Sequence, residues 1–333
     1  MLSRNPLVVE ITRGPVVESS HQVMAVVCDS HGRMIHSWGN HNFLTMPRSS
    51  IKMLQAIPLV ESGALDKFDL TSQHLALACA SHRGEKLHID LAKEWLKKIS
   101  LNESDLVCGG HFPYNEKAYH EFIKLGTSLS PVYSNCVGKH LAMLTTALHL
   151  KENIKNYDDP NHPVQQRIRK ALSEVYKLDI SKVPHGIDGC NVPTVPVPLQ
   201  NIAIGLSVFM STKETELRRI ALKQIFAACV DHPEILSGND DFAFDLMKAL
   251  KGKVVLKGGA EGVYAGVAPE KGVSFALKVA DGASRAAQFT AIGILKNMGV
   301  LTETDAAGIQ ERLSPNLKNS TGKVVGLIRF KKE

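Results

Sequence analysis

The 333-residue sequence has no apolar run long enough to span a membrane, and charged residues interrupt its first fifteen positions. A membrane-spanning helix needs about 20 consecutive apolar residues, and a secretory leader needs an uninterrupted apolar core. Near the start, Arg4, Glu10 and Arg13 break up the apolar residues. We therefore expect a protein that works in the cytoplasm without a membrane partner.

Aromatic residues are scarce, at 6% of the chain, and basic residues form no long run although the formal net charge is +6. The 39 lysines and arginines are scattered among 33 acidic residues. Surfaces that bind nucleic acid instead cluster basic residues and interleave aromatic ones. The pattern argues against a nucleic-acid partner.

Cysteine is also sparse, and the six thiols lie far apart in a chain long enough to bury its own core. We therefore expect reduced thiols rather than disulfides. Cys136 and Cys190 each lie in a polar segment, but neither has a C-x-x-C partner. From spacing alone they are either buried free cysteines or, with Asp188 or a histidine, ligands of a soft metal.

No Ser-, Gly- or Pro-rich linker separates the chain into halves, and no internal repeat is visible. Alternating or β-rich segments lie near both ends, whereas the middle has helical periodicity. We predict one α+β unit in which residues 1–45 and 252–333 form an antiparallel sheet and residues 46–251 are mainly helical. The predicted strands are Val8–Thr12, Gln22–Val27, Met34–Trp38, Lys253–Lys257, Gly262–Val267, Gly272–Val279 and Lys323–Phe330, and the clearest helices are 86–100, 214–229 and 284–298.

Ser49 and Lys52 stand three residues apart at the head of a predicted helix, so both side chains project from one face. A serine hydroxyl becomes a nucleophile when a base such as a neutral lysine accepts its proton. The pattern S-x-x-K opens the signature of acyl-serine enzymes that recognise penicillin, which continues with a triplet ending in Asn and with K-T-G on a strand. Here Tyr133-Ser134-Asn135 and Lys257-Gly258-Gly259 follow in that order. The order favours an architecture like that of β-lactamases and penicillin-binding proteins over a merely solvated helix start.

Two further segments allow alternative interpretations. Ser81 follows an apolar run and precedes the helix predicted from Lys86, so it either faces a cleft or caps that helix with Glu85 in the first turn. The glycine-rich segment 257–262 either lets a ligand approach the backbone or forms a bulged turn. It lacks the spacing of a phosphate-binding loop.

Over nearly its full length the chain resembles the rhizobial-type L-asparaginases, also called class 3 or the asparaginase II family. Ordered blocks carry the resemblance: Thr12-Arg13-Gly14, Glu18-Ser19, His21, 48–52, 81–85, 108–111, 135–140, 188–190, 257–262, Leu277-Lys278 and Asp281-Gly282. It implies a β-lactamase-like fold, a homodimer, and hydrolysis of L-asparagine to L-aspartate and ammonia. In one departure, Gly258 stands where the family carries threonine.

The resemblance also implies two Ser-Lys pairs, which here would be Ser49 with Lys52 and Ser81 with Lys257. It implies a zinc ion, Zn²⁺, bound by two cysteines and a lysine, with an aspartate close by. The matching residues here are Cys136, Lys139, Cys190 and Asp188.

We hypothesise that Ser49 attacks the side-chain amide of the substrate, that Lys52 takes its proton, and that water then cleaves the aspartyl ester. Arg48 would bind the α-carboxylate, and Asp188 or Glu261 the α-ammonium group. The nearest alternative is a glutaminase or another acyl-serine amidase of the same fold, since one methylene changes binding by only about 1–3 kcal/mol. The alternative from a different class is a non-catalytic sensor of an amino acid or of zinc.

Overall fold

The computed structural model describes residues 2–332. Its strands, β1 to β13 in chain order, are Leu2–Ser3, Leu7–Arg13, Val16–Asp29, Met34–Trp38, Leu44–Thr45, Gly186–Ile187, Pro193–Thr194, Val197–Pro198, Val255–Gly259, Val263–Ala268, Val273–Val279, Asn316–Lys318 and Val324–Phe330. Its α-helices, α1 to α15, are Lys52–Gln55, Ile57–Glu61, Ala64–Lys67, Ser72–Ala78, Lys86–Lys98, Glu116–Lys124, Val137–His149, Pro163–Tyr176, Leu199–Ser207, Glu216–Asp231, Pro233–Ser237, Phe242–Leu250, Ser284–Asn297, Glu303–Ala306 and Gln310–Leu313. Short 3₁₀ turns lie at Arg48–Ile51, Glu103–Asp105, Pro131–Tyr133, Val208–Met210 and Pro269–Lys271.

The predicted α+β class and the sheet built from both ends of the chain are confirmed. A nine-stranded sheet has the order β12-β13-β2-β3-β11-β10-β9, with β4 also pairing β3 and with β1 pairing β4. All of these pairs are antiparallel except β1 with β4. The seven predicted strands and the three clearest helices are all present, with ends that shift by a few residues.

The middle of β3 is buried on both faces, which explains its continuous apolar run Val23–Cys28. On one face α9 packs against β11 and β3, where the Ser274 hydroxyl donates to the Ala203 carbonyl at 2.8 Å. A second helix, α13, packs against β11, β10 and β3. It also lies close to β13, since a Cβ at Gly293 would lie 2.9 Å from the ring of Phe330. Strands covered by helices on both faces lose the polar half of the usual alternation.

The chain divides into two compact units. The first, which we call the sheet unit, comprises Met1–Ser50, Val197–Met210 and Asp245–Glu333. The second, the helical unit, comprises Ile51–Pro196 and Ser211–Phe244. The boundary at Ser50 falls inside the S-x-x-K motif, so Ser49 belongs to the sheet unit and Lys52 to the helical unit.

The helical unit is organised around α4, which packs against α5, α7 and α10. A Cβ at Gly138 would lie 1.8 Å from the carbonyl oxygen of Leu77, so α7 approaches the backbone of α4 at a distance that only glycine allows. The Trp95 indole on α5 donates to Thr145 Oγ1 on α7 at 2.9 Å. These contacts fix α7 against α4. Ala80 and Ser81 come shortly after the end of α4 in the chain. Among residues 2–332, no helix combines the length and apolar character that crossing a bilayer requires.

Candidate active site

Lys52 is the most completely buried charged residue of the candidate site, with 0% of its surface exposed. Its amine lies 2.5 Å from the Ala80 carbonyl oxygen, 3.2 Å from that of Asn135 and 3.2 Å from Ser81 Oγ. A lysine ammonium has three N–H donors, whereas the neutral amine keeps two and gains a lone pair. The two carbonyls only accept, but a hydroxyl both donates and accepts. Ser81 is therefore the partner whose role reverses when Lys52 loses its proton.

The local interpretation of Ser81 as a helix cap is wrong. Helix α5 begins at Lys86 with Glu85 as its N-cap residue, so Ser81 lies four positions before the cap. Both carboxylate oxygens of Glu85 accept hydrogen bonds from Asn239, at 2.8 Å from its backbone N and 2.6 Å from Nδ2. The backbone N of Ser81 donates to the Leu236 carbonyl at 3.0 Å, which holds the segment so that its hydroxyl meets Lys52.

His111 holds the peptide of Asn135 and was not singled out by the sequence. The Asn135 N–H donates to His111 Nε2 at 2.9 Å, so the ring proton is on Nδ1, which donates to the Phe112 carbonyl at 2.8 Å. The loop that carries His111 lies against the backbone of Ser130, and only glycine fits at position 110, since a Cβ there would lie 2.2 Å from the Ser130 carbonyl oxygen. The block 108–111 belonged to the family resemblance, and that was the signal that could have revealed the role.

Two buried histidines, His82 and His88, follow Ser81 in the chain. The rings of His82 and His88 stack with centroids 4.9 Å apart, and both side chains have 0% exposure. Burial lowers the pKa of both, that of His88 to about 4, and the positive charge of Lys52 further lowers the pKa of His82. Both rings are therefore neutral near pH 7 and add no positive charge beside Lys52.

The structure brings Cys136, Lys139, Asp188 and Cys190 together in the helical unit. The two thiols hydrogen-bond to each other, and Asp188 Oδ2 lies 3.4 Å from Lys139 Nζ and 3.8 Å from Cys190 Sγ. The bond to Cys190, with the charges of Lys52 and Lys139, lowers the pKa of Cys136, whereas the bond to Cys136 and burial raise the pKa of Cys190. Burial alone would lower the pKa of Lys139, but the ionised forms of Cys136, Cys190 and Asp188 beside it raise it.

The donor types at this thiol cluster fit zinc. Among residues 2–332, no three side chains of His, Cys, Asp or Glu converge in a metal-binding geometry. A zinc ion here would need the Lys139 amine beside the two thiolates, which is the set that the resemblance implies. Thiolate sulfur and amine nitrogen suit Zn²⁺, although the amine must first lose its proton. The zinc site stays a prediction.

In the sheet unit, Ser49 lies in the 3₁₀ turn Arg48–Ile51, and the end of β9 lies against that turn. A Cβ at Gly259 would lie 2.9 Å from the Pro47 carbonyl oxygen and 3.3 Å from both Arg48 Cβ and Ser50 N. Arg48 adopts a left-handed φ of 52°, a conformation that non-glycine residues seldom accept. This edge strand therefore needs glycine where it meets the serine turn.

Lys257 is buried on β9, paired with Ala265 of β10, and its amine lies 3.4 Å from the Gly258 carbonyl oxygen. The departure at Gly258 has a local reason, since a Cβ there would lie 3.0 Å from the ring of Tyr264. Glu261 is exposed in the turn that follows β9, with a φ of 64°. Its carbonyl accepts from the Lys278 amine at 2.6 Å.

A sequence model of the family described as L-asparaginase II matches residues 9–330, which is nearly the whole chain. The chain belongs to the L-asparaginase II family. It is accordingly an L-asparaginase-type hydrolase that acts on amides, as the resemblance implied. The family assignment rests on this match alone, because a search of curated proteins gives no match.

Two solved structures of other proteins are similar to this family member. A β-lactamase from Mycobacterium bovis has 11% sequence identity and a TM-score of 0.44, and the match covers 83% of this chain and 94% of that one. A D-alanine carboxypeptidase from Burkholderia cenocepacia has 12% identity and a TM-score of 0.40, with 82% and 93% covered. Likeness at this level says nothing about the activity.

Proposed function

We propose that this chain hydrolyses L-asparagine to L-aspartate and ammonia through an ester on Ser49. The observation that carries the proposal is the buried amine of Lys52, which lies three residues after Ser49 in the chain. Two backbone carbonyls and the Ser81 hydroxyl contact that amine. A lysine kept from bulk solvent beside a hydroxyl is the arrangement that a Ser-Lys acyl-transfer site requires.

In the proposed reaction, the Lys52 amine carries the proton in both steps. Ser49 Oγ attacks the amide carbon as its proton passes to the Lys52 amine, directly or through Ser81. The C–N bond then breaks, and the proton from Lys52 leaves with the nitrogen as ammonia. Water attacks the ester, gives a proton to Lys52, and Ser49 recovers its hydroxyl proton. Lys257 is proposed as the second amine of the site, paired with Ser81.

The substrate's charged groups need partners of opposite sign. We assign the α-carboxylate to Arg48 and the α-ammonium group to Asp188 or Glu261. A bound zinc ion, held by Cys136, Cys190 and Lys139, would supply a positive centre that orients the substrate. A homodimer and a cytoplasmic location remain predictions.

Replacing Cys136 and Cys190 with serine is expected to remove stoichiometric zinc and to raise KM more than it lowers kcat. Serine keeps the size of the side chain but offers no thiolate to a soft metal. The matched control is Cys229→Ser, another buried thiol of the helical unit. Metal analysis with steady-state kinetics measures both effects, and an unchanged KM would remove zinc from substrate placement.

His111→Leu is expected to lower kcat about tenfold, because it removes the acceptor for the Asn135 N–H and so loosens a carbonyl that holds Lys52. His111→Gln supplies another acceptor and should recover most of the loss. Kinetics of both variants, with melting curves, check this. Equal losses in the two variants would mean that His111 does not act through Asn135.

One assay distinguishes the candidate functions. Ammonia release from L-asparagine and L-glutamine and ring opening of a penicillin are measured in parallel. We expect asparagine to be preferred over glutamine by about 10–200-fold, the usual effect of one methylene. Preference for glutamine would support the glutaminase alternative. No turnover of any of the three compounds, with binding of asparagine shown by calorimetry, would support the sensor.

A further inference from the structure

Glu85 immediately precedes helix α5, but its side chain makes no capping hydrogen bond to that helix. Serine, threonine, aspartate and asparagine are the side chains that usually accept from the first free N–H groups of a helix. The Glu85 carboxylate instead contacts Asn239, with one oxygen 2.8 Å from the backbone N and the other 2.6 Å from Nδ2. The partner of Glu85 therefore lies in the segment that follows α11, far along the chain.

Helix α11, Pro233–Ser237, supplies the carbonyl that holds Ser81. The helix has five residues, too few to be stable by its own hydrogen bonds, so its neighbours determine its position. The Leu236 carbonyl lies near the end of this helix, where carbonyls have no partner within the helix, and it accepts from the Ser81 N–H at 3.0 Å. The contacts that fix the end of α11 thus also fix Ser81.

Two side chains hold α11, one at each end. At its start, His88 Nε2 donates to the Glu234 carbonyl at 3.1 Å. At its end, Gly238 has a φ of 90° and a ψ of 155°, a conformation open almost only to glycine, and the chain turns there so that the Asn239 N–H meets Glu85. A Cβ at Gly238 would lie 2.7 Å from Glu85 Oε1, so the carboxylate packs directly on this turn.

We propose that Glu85 is a positioning residue for the reaction, which keeps the Ser81 hydroxyl at the Lys52 amine by fixing the end of α11. The path runs from the carboxylate to Asn239, from the Leu236 carbonyl to the Ser81 N–H, and from Ser81 Oγ to Lys52 Nζ at 3.2 Å. A displacement of about 1 Å at a reacting group can lower a rate about 10²-fold. This role rests on the proposed function, in which Ser81 assists proton transfer to Lys52.

The test exchanges the chemistry of the two partners. Asn239→Asp places a second carboxylate against that of Glu85, and their repulsion should lower kcat about 10–100-fold with little change in KM. Adding Glu85→Gln to that variant supplies an amide that donates to the new carboxylate and still accepts from the backbone N–H. The double variant should therefore recover most of the native kcat. Steady-state kinetics with L-asparagine measure all three forms.

Glu85→Leu removes both acceptors and should lower kcat by a similar factor. The matched control is Glu152→Leu, which removes another carboxylate of the helical unit with two hydrogen bonds, those from Arg167 at 2.6 and 3.2 Å. Both leucine variants should melt at a lower temperature than the native chain, but only Glu85→Leu should lower kcat. A merely structural carboxylate would give the same kinetics in both.

Crystal structures provide a readout that depends on no substrate. In Glu85→Leu, or in Asn239→Asp if the first does not fold, Ser81 Oγ should lie more than about 3.5 Å from Lys52 Nζ, beyond hydrogen-bond distance. An unmoved Ser81, a native kcat in Glu85→Leu, or a double variant as slow as Asn239→Asp would overturn the proposal. A native chain that releases ammonia from no amide would reject the proposed function, and the crystal structures would still decide whether Glu85 positions Ser81.

Discussion

Ser49→Ala is expected to reduce ammonia release from L-asparagine to the background level, a loss of about 10⁴-fold or more. The substitution removes the oxygen that forms the ester and leaves no other route to it. Ser49 is half-buried in the 3₁₀ turn Arg48–Ile51, a conformation that alanine adopts readily. The melting temperature of the variant should therefore equal that of the unsubstituted protein.

The matched variant is Ser81→Ala. Ser81 contacts the Lys52 amine at 3.2 Å, so its removal should slow proton transfer by about 10²-fold or more without abolishing acylation. The reverse ranking, with Ser81→Ala inactive and Ser49→Ala active, would make Ser81 the nucleophile. The short contact between Ser81 and Lys52 would then be the nucleophile–base pair.

Lys52→Met is expected to lower kcat by about 10²–10⁴-fold, the usual contribution of a general base. Methionine fills the buried space but accepts no proton. It also leaves the Ala80 and Asn135 carbonyls without their donor, which should lower the free energy of unfolding by about 1–3 kcal/mol.

The control for Lys52→Met is Lys98→Met, which also removes an amine that donates to a backbone carbonyl, that of Asp69 at 3.0 Å. It should leave kcat unchanged. Kinetics and denaturant unfolding of both variants separate the base from a structural lysine. A fully active Lys52→Met enzyme would exclude Lys52 as the base.

The fold was largely predictable because its signals are local. The β-rich composition of β2, β10 and β11 and the helical periodicity of α5 and α13 can each be read within a short stretch of the sequence. The boundary at Ser50 between the two compact units had no such signal. The composition of the sequence does not change at Ser50, and the boundary lies inside a motif that is continuous in sequence.

The site was predictable only where ordered motifs joined distant segments. The family resemblance placed Cys136, Lys139, Asp188 and Cys190 in one group, and the structure brings them together. Local sequence could not decide the role of Ser81, because a serine before a helix has the same pattern whether it caps the helix or faces a cleft. The carbonyls of Ala80 and Asn135 were missed because any residue type supplies a carbonyl.

The central claim is that an aspartyl ester forms on Ser49, and trapping that ester tests it most directly. The enzyme is mixed with excess L-asparagine, quenched in acid during steady-state turnover, digested, and analysed by mass spectrometry. We predict a peptide carrying the added mass of an aspartyl group on Ser49, absent from the Ser49→Ala variant. An aspartyl group on Ser81 instead of Ser49 would contradict the account. So would the absence of any modified serine under conditions in which deacylation is shown to be slow.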